Sequence, residues 1–198
     1  MIEIKKKSDC CGCTACANAC PKSCIEMIED SEGFLYPVVH EDKCIKCNAC
    51  EKVCPIINHV ERKENRGQTA AIVQNKNKDV CLQSTAGGAF TAIAEYVLEH
   101  DGIVFGVELQ ADYSVKHIAV ESKTELSKFR NSKYVQSELG STYAEVKQQL
   151  KTGRLVCFSG TPCQIEGLRC FLRRDYENLV LVDVVCRAVP SPGVWKKY

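Results

Sequence analysis

The chain lacks an excess of charge of either sign and lacks a long uncharged apolar run. Its 198 residues include 26 Lys and Arg and 25 Asp and Glu, a formal net charge of +1. Balanced charge gives no sequence-wide basic surface, so we expect no nucleic acid partner. The most apolar stretch, residues 179–185, is too short to span a bilayer and contains Asp183. We therefore expect no membrane insertion and interpret this stretch as a buried strand.

The N-terminus lacks the apolar segment of a secretion signal. Lys5, Lys6 and Lys7 are followed by Ser8 and Asp9 rather than by an apolar run. We therefore expect a cytoplasmic protein. In that compartment, clustered cysteines bind metals more often than they form disulfides.

Cysteine is the residue present in excess. The chain has 15 cysteines, and most of them lie between Cys10 and Cys54. They form two copies of the pattern C-x2-C-x2-C-x3-C-P, which end at Pro21 and Pro55. Each cysteine of the first copy has a counterpart 34 residues later, as Cys10 has Cys44. The pattern is typical of bacterial ferredoxins that carry two 4Fe-4S clusters.

The register of this repeat separates eight predicted ligands from two additional cysteines. Cys11 and Cys24 have no counterpart in the other copy, so we predict that they are not ligands. The two-residue gaps let a short loop place three thiolates around one cluster, and the fourth cysteine of each run binds the other cluster. The predicted ligand sets are Cys10, Cys13, Cys16 and Cys54 for the first cluster, and Cys44, Cys47, Cys50 and Cys20 for the second.

Zinc is the alternative metal, because C-x2-C also occurs in structural zinc sites. Such sites usually combine two cysteine pairs across a long loop, whereas each run here has three closely spaced cysteines followed by x3-C-P. The sequence therefore favours clusters, and a zinc-bound interaction module stays as an alternative hypothesis. Residues 25–39, between the runs, are predicted to form a hairpin that covers the clusters.

The remainder of the chain predicts a second domain. Residues 60–68 are polar and contain Gly67, so we predict a linker between a two-cluster domain (1–59) and a second domain (69–198). Strand and helix patterns alternate in the second domain. The predicted fold class is therefore an α+β ferredoxin-like two-cluster domain followed by an α/β domain. The predicted strands are 70–73, 103–107, 115–120, 155–158 and 179–185, and the predicted helices include 89–99 and 164–172.

Three stretches of the second domain have residues suited to a ligand. Residues 84–88 precede a predicted helix, where backbone amides can hold a phosphate, although an N-cap followed by a tight turn explains the same residues. Residues 159–164 follow a predicted strand and open a helix, the position at which open α/β sheets bind ligands. Residues 133–137 combine a cation, an aromatic ring and an amide, which also suit an ordinary surface.

The order of these motifs resembles the coenzyme F-420 hydrogenase/dehydrogenase beta-subunit family over essentially the whole chain. The resemblance implies an iron–sulfur flavoprotein oxidoreductase that passes electrons between two 4Fe-4S clusters and FAD. It further implies a small-molecule hydride acceptor or donor, such as coenzyme F-420, and a redox partner protein or subunit. The matching motifs after the first cysteine run are E-G-F-x-Y-P (32–37), the second run, S-T-A-G-G-A (84–89), K-Y-V-Q-S (133–137), G-T-P-C-Q (160–164) and C-x3-P-S-P (186–192).

The resemblance also implies which residues contact the flavin. Cys163 and Lys133 are the candidate catalytic residues, Lys133 because its charge would stabilise an anionic reduced flavin. A flavin suits this setting because clusters move one electron at a time, whereas hydride chemistry moves two. The implied cofactor contacts are Ser84, Thr85, Gly87, Gly88, Lys133, Tyr134, Gln136, Gly160, Thr161, Pro162, Cys163 and Gln164.

Two features depart from the family pattern. The family has C-H-G-x-P-S near the end of this block, whereas here Cys186 is followed by Arg187 and Ala188. Family members also continue well past the position of Tyr198, so we expect the α/β domain to be incomplete at its C-terminus. The second functional hypothesis is therefore a non-enzymatic, polyferredoxin-like electron carrier without a working flavin site.

Overall fold

The computed structural model describes residues 1–58 and 67–198, a mixed α/β structure with two sheets. The predicted linker at 60–68 lies mostly outside these described residues. Within them, no helix is both long enough and apolar enough to cross a membrane.

The N-terminal part contains two one-turn helices and a hairpin. Helices α1 (Ala15–Asn18) and α2 (Ala49–Lys52) each follow the second cysteine of a run. The residues that precede them, Thr14 (φ 59°) and Asn48 (φ 57°), occupy the same position of the repeat and are both left-handed. Asn tolerates that conformation, whereas a β-branched Thr adopts it only where the surroundings impose it. The two runs therefore share a backbone geometry as well as a cysteine spacing.

The predicted hairpin between the runs is confirmed. Strands β1 (Ile25–Glu29) and β2 (Leu35–Val39) pair antiparallel, with Met27 opposite Pro37. Asp30 closes the connection, since its carboxylate accepts hydrogen bonds from the backbone N–H groups of Glu32 (2.9 Å) and Phe34 (3.1 Å). The hairpin residue Met27 lines the cavity of the first cysteine run.

The second part is built on a four-stranded sheet in the order β4-β3-β5-β6. Strand β4 runs antiparallel to β3, whereas β3, β5 and β6 are parallel. The strands are β3 (Ile103–Leu109), β4 (Val115–Val120), β5 (Val156–Gly160) and β6 (Leu179–Asp183). The helices of this part are α3 (Lys78–Leu82), α4 (Ala89–Glu99), α5 (Thr142–Lys151), α6 (Pro162–Leu172) and α7 (Pro192–Lys197).

Two strand predictions need correction. Residues 70–73 form no strand, and the Ile72 side chain is fully exposed because no sheet edge accepts this segment. Strand β6 is half-buried rather than buried, since it lies at the edge of the sheet, and it ends at Asp183 before the exposed Val184 and Val185. The predicted helix 89–99 is confirmed at both ends as α4.

One hydrophobic core joins the first cysteine run to the sheet. Helices α5 and α6 pack against one face of the sheet, and α4 packs against the other. The core on the α5–α6 face includes Tyr143, Phe158 and Leu168, each with no exposed surface, and also Cys13 and Ala15 of the first run. Removing this shared surface from water is worth about 25 cal/mol per Å² of apolar area, so it holds the two parts together.

Gly167 of α6 is the point at which this core is most crowded. A Cβ added there would lie 2.9 Å from the Cys13 Cβ, 3.0 Å from the Cys13 Sγ and 2.9 Å from the Tyr143 hydroxyl oxygen. Real Cβ atoms essentially never come within 3.0 Å of another heavy atom, so one element must move. The helix approaches the cysteine loop this closely because position 167 has no side chain.

We predict that Gly167→Ala lowers the free energy of unfolding by about 1–3 kcal/mol, the usual cost of overpacking a core. Urea denaturation of the anaerobically prepared protein, followed by far-UV circular dichroism, measures this change. The control is Gln148→Ala, on the exposed face of α5, which should change stability by less than about 0.5 kcal/mol. An unchanged stability of Gly167→Ala would contradict the close approach.

Candidate functional site

A small cavity lies between the first cysteine run and the end of the second. It is lined by Cys10, Cys13, Cys16 and Cys54 together with Cys11. The apolar wall of this cavity is formed by Ile2, Ile4, Met27, Pro37, Pro55 and Ile56. Three cysteines of one run and the last cysteine of the other therefore face the same space.

A second small cavity has the reciprocal composition. It is lined by Cys44, Cys47 and Cys50 of the second run and by Cys20 and Cys24 from the first part of the chain. Three backbone N–H groups of the described residues already donate to sulfurs of this group, and one of them is that of Cys24, which donates to the Cys20 Sγ (3.3 Å). Ile2 donates to the Cys50 Sγ (3.3 Å), and Lys46 donates to the Cys44 Sγ (3.4 Å). Amide donors of this kind are what thiolate ligands of clusters receive.

The cysteine environments differ in their electrostatics. Burial raises the pKa of the Cys10 thiol and raises that of Cys16 to about 12. For Cys20, burial opposes ionisation, but hydrogen bonds from Cys24 and the neighbouring backbone outweigh it and lower the pKa. The Cys20 and Cys24 sulfurs lie 3.3 Å apart, and this contact raises the pKa of Cys24 to about 12. Since thiolates are the ligands, iron must displace the protons that the buried thiols hold.

The donor set fits an iron–sulfur cluster. Soft thiolates are the ligands that such clusters use. The apolar wall of the first cavity shields its buried cysteines from water, whereas Cys47 of the second is exposed. Among residues 1–58 and 67–198, no three His, Cys, Asp or Glu side chains converge as they would around a single metal ion. The thiols instead surround two cavities, five on each.

The K-Y-V-Q-S motif contacts the loop of the first cysteine run. The Gln136 side-chain amide donates to the backbone carbonyl of Cys11 at 3.1 Å. The neighbouring Gly12 has φ 62°, and a Cβ there would lie only 2.8 Å from the Gln136 Nε2. Glycine is needed at position 12 for two reasons: it adopts the left-handed backbone conformation easily, and it leaves room for the Gln136 amide.

The G-T-P-C-Q motif forms the turn from β5 into α6. The Gln164 Oε1 accepts a hydrogen bond from the Thr161 N–H (3.0 Å), and Pro162 occupies the first turn of the helix. The Cys163 thiol lies 3.1 Å from the Thr161 Oγ1. The neighbouring Cys11 thiol is the largest cause of the raised pKa of Cys163, followed by burial. The motif therefore faces the first cysteine run.

His117 connects the K-Y-V-Q-S and G-T-P-C-Q motifs, and the sequence analysis did not predict it as a site residue. Its Nε2 lies 3.0 Å from the carbonyl oxygen of Ser159, so Nε2 carries the proton. The Nδ1 then accepts from the Ser137 hydroxyl (3.0 Å), whose oxygen accepts from the Gln164 side-chain amide (3.0 Å). The ring stacks on Phe158, with centroids 5.2 Å apart. Burial lowers the pKa of His117 to about 4. The sequence signal was a histidine at an inward position of β4.

The S-T-A-G-G motif lies just before α4, with Gly87 (φ 56°) and Gly88 (φ 69°) both left-handed. Its hydroxyl groups bond within the chain: Ser84 donates to the Val80 carbonyl (2.6 Å) and Thr85 donates to the Asn131 side chain (3.2 Å). Helix α4 precedes β3 in the chain, and α6 follows β5, which is parallel to β3. Both helices therefore begin at the carboxyl edge of the sheet, on opposite faces.

Lys133 and Tyr134 are the other members of the predicted flavin set in the K-Y-V-Q-S motif. Lys133 donates from its ammonium group to the backbone carbonyls of Lys128 (3.1 Å) and Arg130 (2.8 Å). Its half-buried position lowers its pKa. Tyr134 is exposed.

A larger cavity of about 880 Å³ opens beside the first cysteine loop. Gly12 and Thr14 of that loop, and Gln136, line one part of it. Tyr113 and the α7 residue Trp195 line another part, and the Trp195 indole donates to the Tyr113 carbonyl at 2.9 Å. Among the described residues, Gln136 is the member of the predicted flavin set that lines this cavity.

Comparison with known proteins identifies the N-terminal part. Residues 3–61 match the sequence family of the 4Fe-4S dicluster domain. This part of the chain is therefore an iron–sulfur electron-carrier domain of the two-cluster ferredoxin type.

Curated relatives match this same part. A ferredoxin of Mycolicibacterium smegmatis is 43% identical over 55 residues, which cover 28% of this chain and 41% of that protein. A polyferredoxin-like protein of Methanocaldococcus jannaschii is 33% identical over 57 residues, covering 25% of this chain and 34% of that protein. The chain thus spans less than half the length of these relatives.

The solved structures that are similar over part of the chain include the F420-reducing [NiFe] hydrogenase complex of Methanosarcina barkeri, with 21% identity and a TM-score of 0.47. The similarity covers 57% of this chain and 42% of the chain in that complex.

We predict that His117 makes stability depend on pH. Its pKa of about 4 in the folded state is below the ordinary value of 6.5, so the unfolded chain binds the extra proton first. Stability is therefore unaffected above pH 6.5 and is lost as pH falls toward 4, by about 2 kcal/mol between pH 7 and pH 5. Urea unfolding of the cluster-loaded protein at both pH values measures the loss.

The His117→Gln variant, which does not titrate, should lose about 2 kcal/mol less over the same interval than the wild type. The control is His100→Gln, at an exposed position, which should retain the wild-type difference. An equal loss in the wild type and His117→Gln would contradict a buried, neutral His117.

Proposed function

We propose that the chain holds two 4Fe-4S clusters through interlocked ligand sets. Cys10, Cys13, Cys16 and Cys54 hold one, and Cys20, Cys44, Cys47 and Cys50 hold the other. The observation that carries this proposal is the reciprocal composition of the two cavities, each lined by three cysteines of one run and the last cysteine of the other. Cys11 and Cys24 stay outside the ligand sets because they fall outside the repeat.

The exchange of the fourth cysteine gives the domain its function as a carrier. It places α1 and α2 against each other and brings the two clusters close together. Electrons can then enter at one cluster and leave at the other. The first of these clusters would lie on the side of the chain that contacts the K-Y-V-Q-S and G-T-P-C-Q motifs. Gln136 of the first motif donates to the Cys11 carbonyl, and α6, which the second motif opens, packs against Cys13.

We further propose that the α/β part binds FAD at the carboxyl edge of its sheet. FAD supplies the conversion between single electrons and hydride when it is bound. The proposal is supported by two helix starts at one edge, at Gly88 and Thr161, since backbone N–H groups at such starts bind phosphate. Lys133 contributes a cation that interacts with Glu108 of β3, and Cys163 lies in the first turn of α6.

In this proposal the protein is an iron–sulfur flavin oxidoreductase component. Its redox partner is another protein or subunit, and its small-molecule partner is a hydride acceptor or donor of the deazaflavin type, such as coenzyme F-420. The hydrogen bonds of Gln136 and His117 hold the K-Y-V-Q-S and G-T-P-C-Q motifs in a fixed position relative to the loop of the first cysteine run.

The second candidate function is an electron carrier without flavin. It is favoured by the partners that the proposed flavin residues already have within the chain. Ser84, Thr85, Lys133 and Cys163 each use their polar atom in an internal hydrogen bond. A carrier of this kind would pass single electrons from the clusters to a partner protein.

The ligand sets predict different effects of two serine substitutions. Cys54→Ser should remove the cluster held mainly by the first run and reduce bound iron from about eight to about four per chain. Cys11→Ser should keep about eight irons, because Cys11 is outside the repeat. Iron and acid-labile sulfide analysis of anaerobically reconstituted protein makes the measurement. Loss of a cluster in Cys11→Ser but not in Cys10→Ser, or one zinc per four cysteines, would contradict the assignment.

The flavin proposal predicts binding that depends on the glycine pair. Titration of the cluster-loaded chain with FAD should quench flavin fluorescence at micromolar protein, and Gly88→Asp should abolish the quenching because a carboxylate repels the pyrophosphate. The control is Gly153→Asp, which is also left-handed (φ 82°) but follows α5 and contacts nothing within 4 Å. Absence of quenching by the wild-type chain would favour the electron carrier.

A further inference from the structure

Two motifs to which the proposed function gives no role meet at the wall of the larger cavity. The backbone carbonyl of Glu32, in E-G-F-x-Y-P, accepts hydrogen bonds from the Ser191 hydroxyl (2.7 Å) and from the Gly193 N–H (2.7 Å), at the start of α7. A Cβ on Gly33 would lie 2.9 Å from the Gly193 nitrogen, so only glycine permits this approach of the two backbones. Helix α7 is therefore fixed to the hairpin of the N-terminal part.

The same helix is attached to the α/β part. The Trp195 indole donates to the backbone carbonyl of Tyr113, in the turn between β3 and β4 (2.9 Å). The Lys196 ammonium pairs with the Glu29 carboxylate of β1 (2.9 Å), back on the hairpin. Segments of both parts therefore bound the cavity of about 880 Å³, and α7 forms one of its walls. This volume is in the usual range of pockets that bind small molecules.

The lining of this cavity suits a flat aromatic ring. Its aromatic residues are Tyr113, Trp195 and Tyr198. Its apolar residues include Met27, Leu35 and Val135. Aromatic side chains stack on planar rings, and their faces attract cations that lie over them.

The charges of the lining favour a cation. Among the described residues that line the cavity, the acidic ones are Glu29, Asp112 and Glu138, whereas the basic one is Lys196, which is paired with Glu29. Glu138 also has a basic neighbour outside the lining, because Lys116 lies 3.6 Å from its carboxylate. Carboxylates therefore outnumber ammonium groups at the cavity surface, and a phosphate there would be repelled.

We propose that this cavity binds a flat aromatic cation that carries no phosphate. Such a ligand gains attraction both from the carboxylates and from the aromatic faces of the lining. The proposed FAD site depends instead on the helix starts at Gly88 and Thr161, which suit a pyrophosphate. Thr14 and Met27 line both this cavity and the small cavity of the first cysteine run. The bound ring would therefore lie beside the proposed first cluster.

Isothermal titration calorimetry of the anaerobically prepared, cluster-loaded protein tests the proposal without reductant. The probes are methyl viologen, a bipyridinium dication, and its bis(3-sulfopropyl) analogue, which has the same two rings and no net charge. Methyl viologen should bind at one site per chain and about fivefold more tightly than the analogue, the effect of one charge pair at contact distance in water. Equal affinity for the two probes, or no binding of methyl viologen at millimolar concentration, would overturn the proposal.

A charge variant locates the binding. The double variant Asp112→Asn, Glu138→Gln should bind methyl viologen about tenfold or more weakly, because it removes two carboxylates of the lining. The control is Glu99→Gln, which removes a carboxylate from an exposed ion pair with Lys123 (2.6 Å) outside the cavity and should match the wild type. Far-UV circular dichroism checks that both proteins are folded. Equal affinity of the double variant and the wild type would overturn the proposal.

Trp195 provides a second readout, because the chain has one tryptophan. Methyl viologen in the cavity should lower the Trp195 emission intensity along the calorimetric binding curve while the emission lifetime stays constant, as expected for a complex rather than for collisions. Calorimetric binding that leaves the Trp195 emission unchanged would place the cation elsewhere and overturn the proposal.

Discussion

The packing of the first cysteine run against α6 is the contact on which the rest of the structure depends. Ala15 has no exposed surface, and Cys13 lies where Gly167 leaves room for it. Because this contact belongs to the same core as the sheet residue Phe158, the two-cluster part is bound to the α/β part through packed side chains. A cluster held by this run would have a fixed position relative to the sheet.

That fixed position determines which motifs lie near the first cluster. The Gln136 amide donates to the Cys11 carbonyl, and His117 connects the K-Y-V-Q-S and G-T-P-C-Q motifs through Ser137 and Gln164. Each of these polar groups has a defined partner, so the arrangement resists local rearrangement. The first cysteine run and the turn from β5 into α6 are therefore connected to the K-Y-V-Q-S motif by hydrogen-bonded groups of defined orientation.

Much of this arrangement could be predicted from the sequence, because repeats and periodic patterns are local. The 34-residue repeat predicted the two cysteine groups that line the cavities, and apolar periodicity predicted α4 with both ends correct. The strand predicted at residues 70–73 was wrong because its apolar residues have no sheet neighbour, which pattern alone does not reveal. The hydrogen-bonded position of His117 was missed because its partners, Ser137 and Ser159, are distant from it in sequence.

Electron paramagnetic resonance of the fully reduced protein tests the interlocked clusters most directly. If Cys20 and Cys54 each bind the cluster of the opposite run, the two paramagnetic clusters are close enough for their spins to couple. The predicted result is a broadened, split spectrum that becomes a simple single-cluster signal in a variant with one cluster removed. A spectrum equal to the sum of two independent signals would contradict the exchange of the fourth cysteines.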